Sequence, residues 1–187
     1  MHSSMAFSRK THVSYAFGSL SRLPAGPGLR RCRRYHRRVH ASWHIHSTLV
    51  LAQAISNALR GEPKDDVLRL SSAGLSAPKV IAIAHGEYRS KSTTEINGTG
   101  YAVASLEAAL WCFHHTDSFA EAVLAAANLG DDADTTAAIV GQLAGAYYGA
   151  QAIPADWTNK LWLQDEIEGI ADALLSASAH PGQAPTL

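Results

Sequence analysis

Apolar residues recur at steps of three and four positions along much of the chain after residue 48, which is the spacing of one face of an α-helix. In the first such segment Leu51, Ile55 and Leu59 follow these steps, and Gly61 comes at the position where helices commonly end. Regular alternation of apolar and polar residues, the pattern of a half-buried strand, is not found along the sequence. The pattern therefore predicts an all-α fold.

Six further helices are predicted from the same spacing and from residues that start and stop helices. Ser118 and Glu121 form a capping box, in which each side chain satisfies a free amide at the start of a helix. Together with the first segment, the predicted helices cover residues 49–59, 62–68, 101–113, 119–127, 133–148, 157–163 and 165–176. Residues 71–78 and 87–100 are predicted to form turns and loops, and residues 79–84 are too few to classify.

Composition limits the classes of protein that fit. The chain has 187 residues, 47% of them apolar and 17% charged, which is enough to bury the core of one domain. No stretch reaches the roughly 18 apolar residues that span a bilayer, and the first residues lack the apolar core of a signal peptide. Cys32 and Cys112 are too few for a disulfide scaffold or a cysteine-rich zinc site. We therefore expect no membrane partner and a reducing, cytoplasmic setting.

The net charge of zero hides a division between the start of the chain and the rest. Residues 1–40 include nine Lys and Arg and no acid, and the first acid of the chain is Glu62. This contrast predicts three parts: a poorly ordered Arg-rich segment over residues 1–46, a helical domain over residues 47–176, and a frayed tail over residues 177–187.

The Arg-rich run from Arg30 to Arg38 has three interpretations. It attracts phosphate, and Tyr35 within it offers a ring for base stacking, so nucleic-acid binding is one of them. The second is a solvated arm whose like charges repel one another. The third is an atypical start of the reading frame, through truncation or a shifted frame, without a function of its own.

Three carboxylates crowd into four positions directly before the helix predicted over residues 133–148. Free amides and the helix dipole favour one or two acids there, but Asp131, Asp132 and Asp134 together add repulsion between like charges. A divalent cation would remove that repulsion, and Mg²⁺ selects carboxylate and hydroxyl oxygens. One interpretation is therefore a magnesium half-site of Asp132, Asp134 and Thr135. The other is a capped helix start without a metal.

The helix that follows these acids carries a glycine every four residues, at Gly141, Gly145 and Gly149. Because each glycine inside a helix costs about 1 kcal/mol relative to alanine, three on one face predict that another backbone approaches this helix closely. We expect the helix to be central and buried, which would hold its first acids rigidly.

The segment from Asn128 to Gly149, NLGDDADTTAAIVGQLAGAYYG, resembles the C-terminal signature of the ADP-ribosylglycohydrolase family, and residues 100–111, GYAVASLEAALW, are similar to the helix that precedes it. The resemblance covers about residues 47–173. It implies a compact orthogonal helical domain with two Mg²⁺ ions that hydrolyses the glycosidic bond between ADP-ribose and a protein or small-molecule acceptor. Asp132, Asp134 and Thr135 match the family's C-terminal metal ligands, and Gly100 and Tyr101 are expected to bind substrate. Tyr147 and Tyr148 match the aromatic end of the signature, where core packing is the expected role.

The sequence departs from the family pattern at its start. The family's N-terminal Thr-Asp-Asp ligand set is missing, since no acid precedes Glu62. A family Thr-His site has a weak echo at His44 or His46, which we interpret as exposed loop residues. The resemblance thus predicts a domain truncated at its N-terminus that binds Mg²⁺ weakly and has little activity unless a separate N-terminal half supplies the missing ligands. The alternative is a non-catalytic helical fragment or interaction protein.

Overall fold

The computed structural model describes residues 42–179, and side chains within residues 43–176. This part of the chain contains α-helices and short 3₁₀ helices and no strand, which confirms the all-α prediction for it. The α-helices are α1 (Ser42–Leu59), α2 (Lys64–Val67), α3 (Pro78–Ala84), α4 (Ala102–His114), α5 (Phe119–Ala127), α6 (Ala133–Tyr148), α7 (Ala155–Thr158) and α8 (Gln164–Ala179). The 3₁₀ helices are Glu87–Ser90, Thr93–Glu95 and Ala150–Ala152.

Three elements differ from the prediction. Helix α1 begins at Ser42, so the expected boundary between residues 46 and 47 falls inside this helix. Residues 79–84, left unclassified, belong to α3, where Pro78 supplies a backbone angle suited to a first turn and Val80 and Ile83 are buried. Helix α7 is shorter than the predicted residues 157–163.

Helix α6 is the central helix of the unit that residues 35–153 form. Its most extensive contacts are with α5, followed by α4 and α1. The side chains that it buries include Val140 and Leu143, and α4 buries Leu110 and Phe113 in the same core. The expectation of a central α6 is therefore correct.

The glycines of α6 do not have the role that their spacing predicted. A Cβ atom added at Gly141 would meet Val123 Cγ2 at 3.9 Å, and one added at Gly145 would meet Phe119 Cε2 at 3.8 Å. These are ordinary contacts with side chains of α5. Gly149 has a φ of 84° and ends the helix. The prediction that another backbone approaches this face closely is therefore wrong.

The chain divides into two compact units, residues 35–153 and a second unit of residues 1–34 and 154–187. Helices α1–α6 belong to the first unit, while α7 and α8 are the described helices of the second. Residues 1–41, which include the Arg-rich run, and residues 180–187 lie outside the described part. Within residues 42–179, no helix combines the length and the apolar character needed to cross a bilayer.

Candidate functional site

The candidate site is built where two loops meet, one before α4 and one before α6. The backbone N–H of Asp132 donates to the carbonyl of Gly98 at 2.9 Å, which joins the two loops directly. A Cβ atom at Gly98 would lie 3.1 Å from the carbonyl oxygen of Gly130. A glycine at position 98 therefore allows the loops to approach closely.

Two buried hydroxyl groups anchor these loops to their helices. Thr136, fully buried in the first turn of α6, donates its hydroxyl to the Asp132 carbonyl at 3.2 Å. Ser105 of α4 donates to the Thr99 carbonyl at 2.5 Å. Because Ser105 and Thr136 are themselves buried, these bonds tie the Asp132 backbone and the facing loop to the core.

The carboxylate of Asp132 lies against Gly100. A Cβ atom at Gly100 would come within 2.4 Å of Asp132 Oδ2, a distance that real Cβ atoms do not show. Only a residue without a side chain leaves this place to the carboxylate. The structure thus brings together Gly100 and Asp132, which the sequence predicted as parts of one site without indicating any contact between them.

Asp132 and Asp134 point toward one another. The pKa of Asp134 is lowered below its usual range, first by hydrogen bonding with the Asp132 side chain and second by the backbone amide of Thr135. The Thr135 N–H donates to Asp134 Oδ1 at 2.9 Å. Two bare carboxylates at close range repel each other, and a bound cation would remove that repulsion.

The alternative of a simple capped helix start accounts poorly for this arrangement. Asp132 stands at the N-cap position of α6, yet its side chain makes no capping hydrogen bond. Asp131 is exposed and has a φ of 51°, in the left-handed region that aspartate tolerates better than most residues. Asp131 is therefore a turn residue. The carboxylate oxygens of Asp132 do not cap the helix.

The chemistry of these donors fits a magnesium ion. The first turn of α6 offers two carboxylates and the Thr135 hydroxyl, and Mg²⁺ is often bound by one or two carboxylates with water completing its shell. No group of three or more His, Cys, Asp or Glu side chains that could hold a metal is found among residues 43–176. The described residues thus offer fewer donors than a complete ligand shell would need.

Tyr101 lies beside this site with 41% of its surface exposed, and its ring meets that of Trp43 edge to face at 6.3 Å between centroids. No sequence pattern pointed to Trp43, because this residue lies in the first turn of α1, before the regular apolar spacing begins. The prediction that His44 and His46 are exposed loop residues holds only for the exposure of His44. Both lie in α1, and His46 is only 1% exposed, its Nδ1 accepting from the Ser76 N–H at 3.5 Å.

Two other groups with possible chemistry have structural roles. The rings of Tyr147 and Tyr148 pack against Phe113, at 5.4 and 6.1 Å between centroids, which confirms core packing for the end of the signature. Burial raises the pKa of the Cys112 thiol to about 11, so this side chain is protonated at neutral pH and is not a thiolate nucleophile.

Comparison with known proteins decides the family. The family model described as ADP-ribosylglycohydrolase matches residues 9–184. The chain belongs to the ADP-ribosylglycohydrolase family. The match begins at residue 9 and so extends well into the Arg-rich segment, whereas the resemblance seen in the sequence began at about residue 47.

Curated members of this family are similar to parts of the chain. ADP-ribosylarginine hydrolase Tri1 from Pseudomonas putida (strain GB-1) is 42% identical over 125 residues, which is 67% of this chain and 33% of that protein. The protein of the same name from Serratia proteamaculans (strain 568) is 49% identical over 96 residues, 51% of this chain and 26% of its own length. ADP-ribosyl-[dinitrogen reductase] glycohydrolase from Rhodospirillum rubrum is 40% identical over 80 residues, 42% of this chain and 27% of that protein.

A solved structure supports the same fold. The chain matches an ADP-ribosylglycohydrolase-related protein complex with a TM-score of 0.65 and 42% identity, over 72% of this chain and 47% of that one. The chain spans between a quarter and a third of the length of the curated relatives, and about half of the solved relative.

Proposed function

We propose that this chain carries the C-terminal metal half-site of an ADP-ribosylglycohydrolase, with Asp132, Asp134 and Thr135 as ligands of Mg²⁺. The reaction is hydrolysis of the glycosidic bond between ADP-ribose and a protein or small-molecule acceptor. The observation that carries the proposal is the position of the Asp132 carboxylate, which lies against Gly100 in the same turn as Asp134 and makes no capping bond to α6.

The residues around the acid pair would hold the proposed metal ligands in place. The buried Thr136 and Ser105 hydroxyls fix the two loops, so that Asp132 and Asp134 present their oxygens with little freedom to relax. Mg²⁺ bound there would orient a water or a substrate hydroxyl and stabilise the charge that develops as the bond breaks. Tyr101 and Gly100 border the carboxylates, and we place substrate on this side of the site.

The donor set argues that this half-site needs a second group of ligands. Two carboxylates and one hydroxyl are few for the two ions of a dinuclear centre, and the sequence holds no acid before Glu62. We therefore propose that the chain alone binds Mg²⁺ weakly and turns over little substrate. A segment with the family's Thr-Asp-Asp ligands would complete the centre.

The names of two relatives point to ADP-ribosylated arginine as the first substrate to test. The experiment measures release of ADP-ribose from an ADP-ribosylarginine peptide in Mg²⁺, by the chain alone and with a polypeptide that carries the Thr-Asp-Asp segment. We expect little release by the chain alone and at least a tenfold increase after complementation. Asp134→Asn should lose most of the complemented activity, because the group lost is a metal ligand.

Asp131→Asn is the matched control. It removes one carboxylate from the same turn while keeping a residue that tolerates a positive φ, and it should keep the complemented activity. Strong turnover by the chain alone would show that no second ligand set is needed. Unchanged activity of the Asp134→Asn variant would refute the ligand assignment, and no turnover despite complementation and Mg²⁺ binding would favour an interaction protein.

A further inference from the structure

The first unit contains a cleft with a volume of about 580 Å³, which is within the range of small-molecule sites. Its polar lining consists of Asp65, Arg69, His85 and Arg89, and its apolar lining includes Leu68 and Leu70. We call it the Arg89 cleft. Every lining residue belongs to the described part of the first unit, so the second unit contributes nothing to its walls. The cleft also uses none of the residues assigned to the metal.

Arg89 is a partly buried cation without a carboxylate partner. All Asp and Glu residues of the chain lie among residues 62–172, which the structure describes, and none comes within 4.0 Å of the Arg89 guanidinium group. The Nη2 of Arg89 donates to the Leu68 carbonyl at 3.0 Å, while its Nε is buried without a hydrogen-bond acceptor. Because a partly buried cation without a counter-ion is costly, the charge of Arg89 favours an anion inside the cleft.

The side chain of Arg89 is held in place by its surroundings. Gly86 has a φ of 82°, and a Cβ atom there would lie 3.0 Å from Arg89 Nε. A glycine at this position therefore leaves room for the guanidinium group, and the bond to the Leu68 carbonyl fixes it from another side. A ligand that binds this group has little side-chain freedom to restrict, which lowers the cost of binding.

The neighbourhood of Arg89 carries more positive than negative charge. Burial lowers the pKa of His114, in the last turn of α4, and neighbouring positive groups lower it further. These groups are His115, Arg89 and Lys64, whereas Asp65 acts in the opposite direction. A surplus of one sign of charge around a cleft attracts ligands of the other sign.

The other polar residues of the cleft add donors and one acceptor. Arg69 pairs with Asp66 at 3.0 Å, but its side chain is 80% exposed, so the pair is weak and leaves guanidinium donors for a ligand. The imidazole of His85 is exposed and lies 3.1 Å from the Ser72 hydroxyl. Asp65 offers the carboxylate of the lining, which suits a ligand that carries a hydroxyl group beside its anionic group.

The cleft and the candidate metal site lie at opposite ends of α4. Gly100 and Tyr101 directly precede the helix, whereas the ring of His114 in its last turn lies 6.4 Å from that of Tyr88, the neighbour of Arg89 in sequence. A helix of 13 residues is about 20 Å long. A small ligand in the cleft would therefore not touch the acid pair.

We propose that the Arg89 cleft binds a small organic anion whose phosphate or carboxylate group pairs with the guanidinium groups of Arg89 and Arg69. The planar guanidinium fork matches the oxygens of both groups. Leu68 and Leu70 contact the carbon skeleton of the ligand, and Asp65 accepts a hydrogen bond from its hydroxyl group.

The test titrates the full chain, without Mg²⁺, with phenyl phosphate, benzoate and the uncharged benzyl alcohol. Nuclear magnetic resonance follows the Nε–H signal of Arg89, which is assigned with the Arg89→Lys variant. We expect the signal to shift with at least one of the two anions, with a dissociation constant on the order of 1 mM, and to stay in place with benzyl alcohol. Tighter binding of phenyl phosphate identifies a phosphate ligand, and tighter binding of benzoate identifies a carboxylate.

Two variants and a control decide whether the cleft is the site, with isothermal titration as the measurement. Arg89→Gln should weaken anion binding about tenfold, and Arg69→Gln, on the exposed rim, about threefold. Arg60→Gln removes an arginine that pairs with Glu62 outside the cleft and should leave binding unchanged.

Three results would overturn the proposal. They are no binding of either anion up to about 20 mM, equal binding of benzyl alcohol, and unchanged affinity in the Arg69→Gln variant. Circular dichroism checks the fold of Arg89→Gln, because this substitution also removes the bond to the Leu68 carbonyl. If that variant does not fold, the exposed Arg69→Gln variant alone decides the outcome.

Discussion

At the scale of single residues, the position of one carboxylate depends on the absence of a side chain opposite it. Asp132 Oδ2 occupies the place that a Cβ atom of residue 100 would take, so that Gly100 acts on the acid pair without contributing a functional group. This contact links the loop before α4 to the start of α6. It gives Gly100 a positioning role in the candidate site.

Substitution of Gly100 by alanine tests that role. The added methyl group would displace the Asp132 carboxylate, and we expect the affinity for Mn²⁺, used as a paramagnetic substitute for Mg²⁺, to fall at least tenfold. The measurement is a titration followed by electron paramagnetic resonance. Gly169→Ala is the control, since a Cβ atom at Gly169 meets nothing within 4 Å. Equal affinities of the wild type and the Gly100→Ala variant would contradict the positioning role.

The sequence could indicate the acid pair but not its surroundings. The density of carboxylates before a helix singled out Asp132 and Asp134 because like charges are costly at short range. The contact of Asp132 with Gly100 joins segments far apart in sequence, and no local pattern encodes it. The burial of His46 was not predicted either, because a polar residue at the start of a helix is usually exposed.

At the scale of elements, prediction succeeded where local signals and burial agree. Helix α5 begins after Ser118, whose hydroxyl accepts from the Glu121 N–H at 3.2 Å, as the capping box predicts. The Glu121 side chain accepts from the Asp117 N–H instead of that of Ser118. Helix α6 spans the predicted residues because a regular apolar face lies between an acidic turn and Gly149. The first turn of α1 lacks such signals, and α3 offers only Pro78 before its buried residues Val80 and Ile83.

The glycines of α6 give the element-scale prediction. Ala at position 141 or 145 fits without a close contact and lowers the conformational freedom of the unfolded chain. We expect Gly141→Ala and Gly145→Ala each to raise the free energy of unfolding by up to about 1 kcal/mol. Urea unfolding followed by circular dichroism measures this change.

The matched comparison is Gly98→Ala, which should lower the free energy of unfolding because its Cβ atom would lie 3.1 Å from the Gly130 carbonyl oxygen. If the two α6 variants instead lost stability, the side chains of α5 would be packed too tightly against α6 to admit a methyl group.

At the scale of the whole molecule, a helical unit around α6 presents the acid pair for which we propose a metal ion. Relatives of the same family are about three to four times as long as the matched segments. The fold of residues 42–153 brings Gly100 against the Asp132 carboxylate and the ring of Tyr101 against that of Trp43.

The most direct test of the account is whether the acid pair binds a divalent cation. Isothermal titration and Mn²⁺ resonance of the full chain should show one weakly bound ion, with binding lost in Asp132→Asn and in Asp134→Asn and kept in Asp131→Asn. Absence of binding by the wild-type chain, or an equal loss in all three variants, would contradict the assignment of Asp132 and Asp134 as ligands.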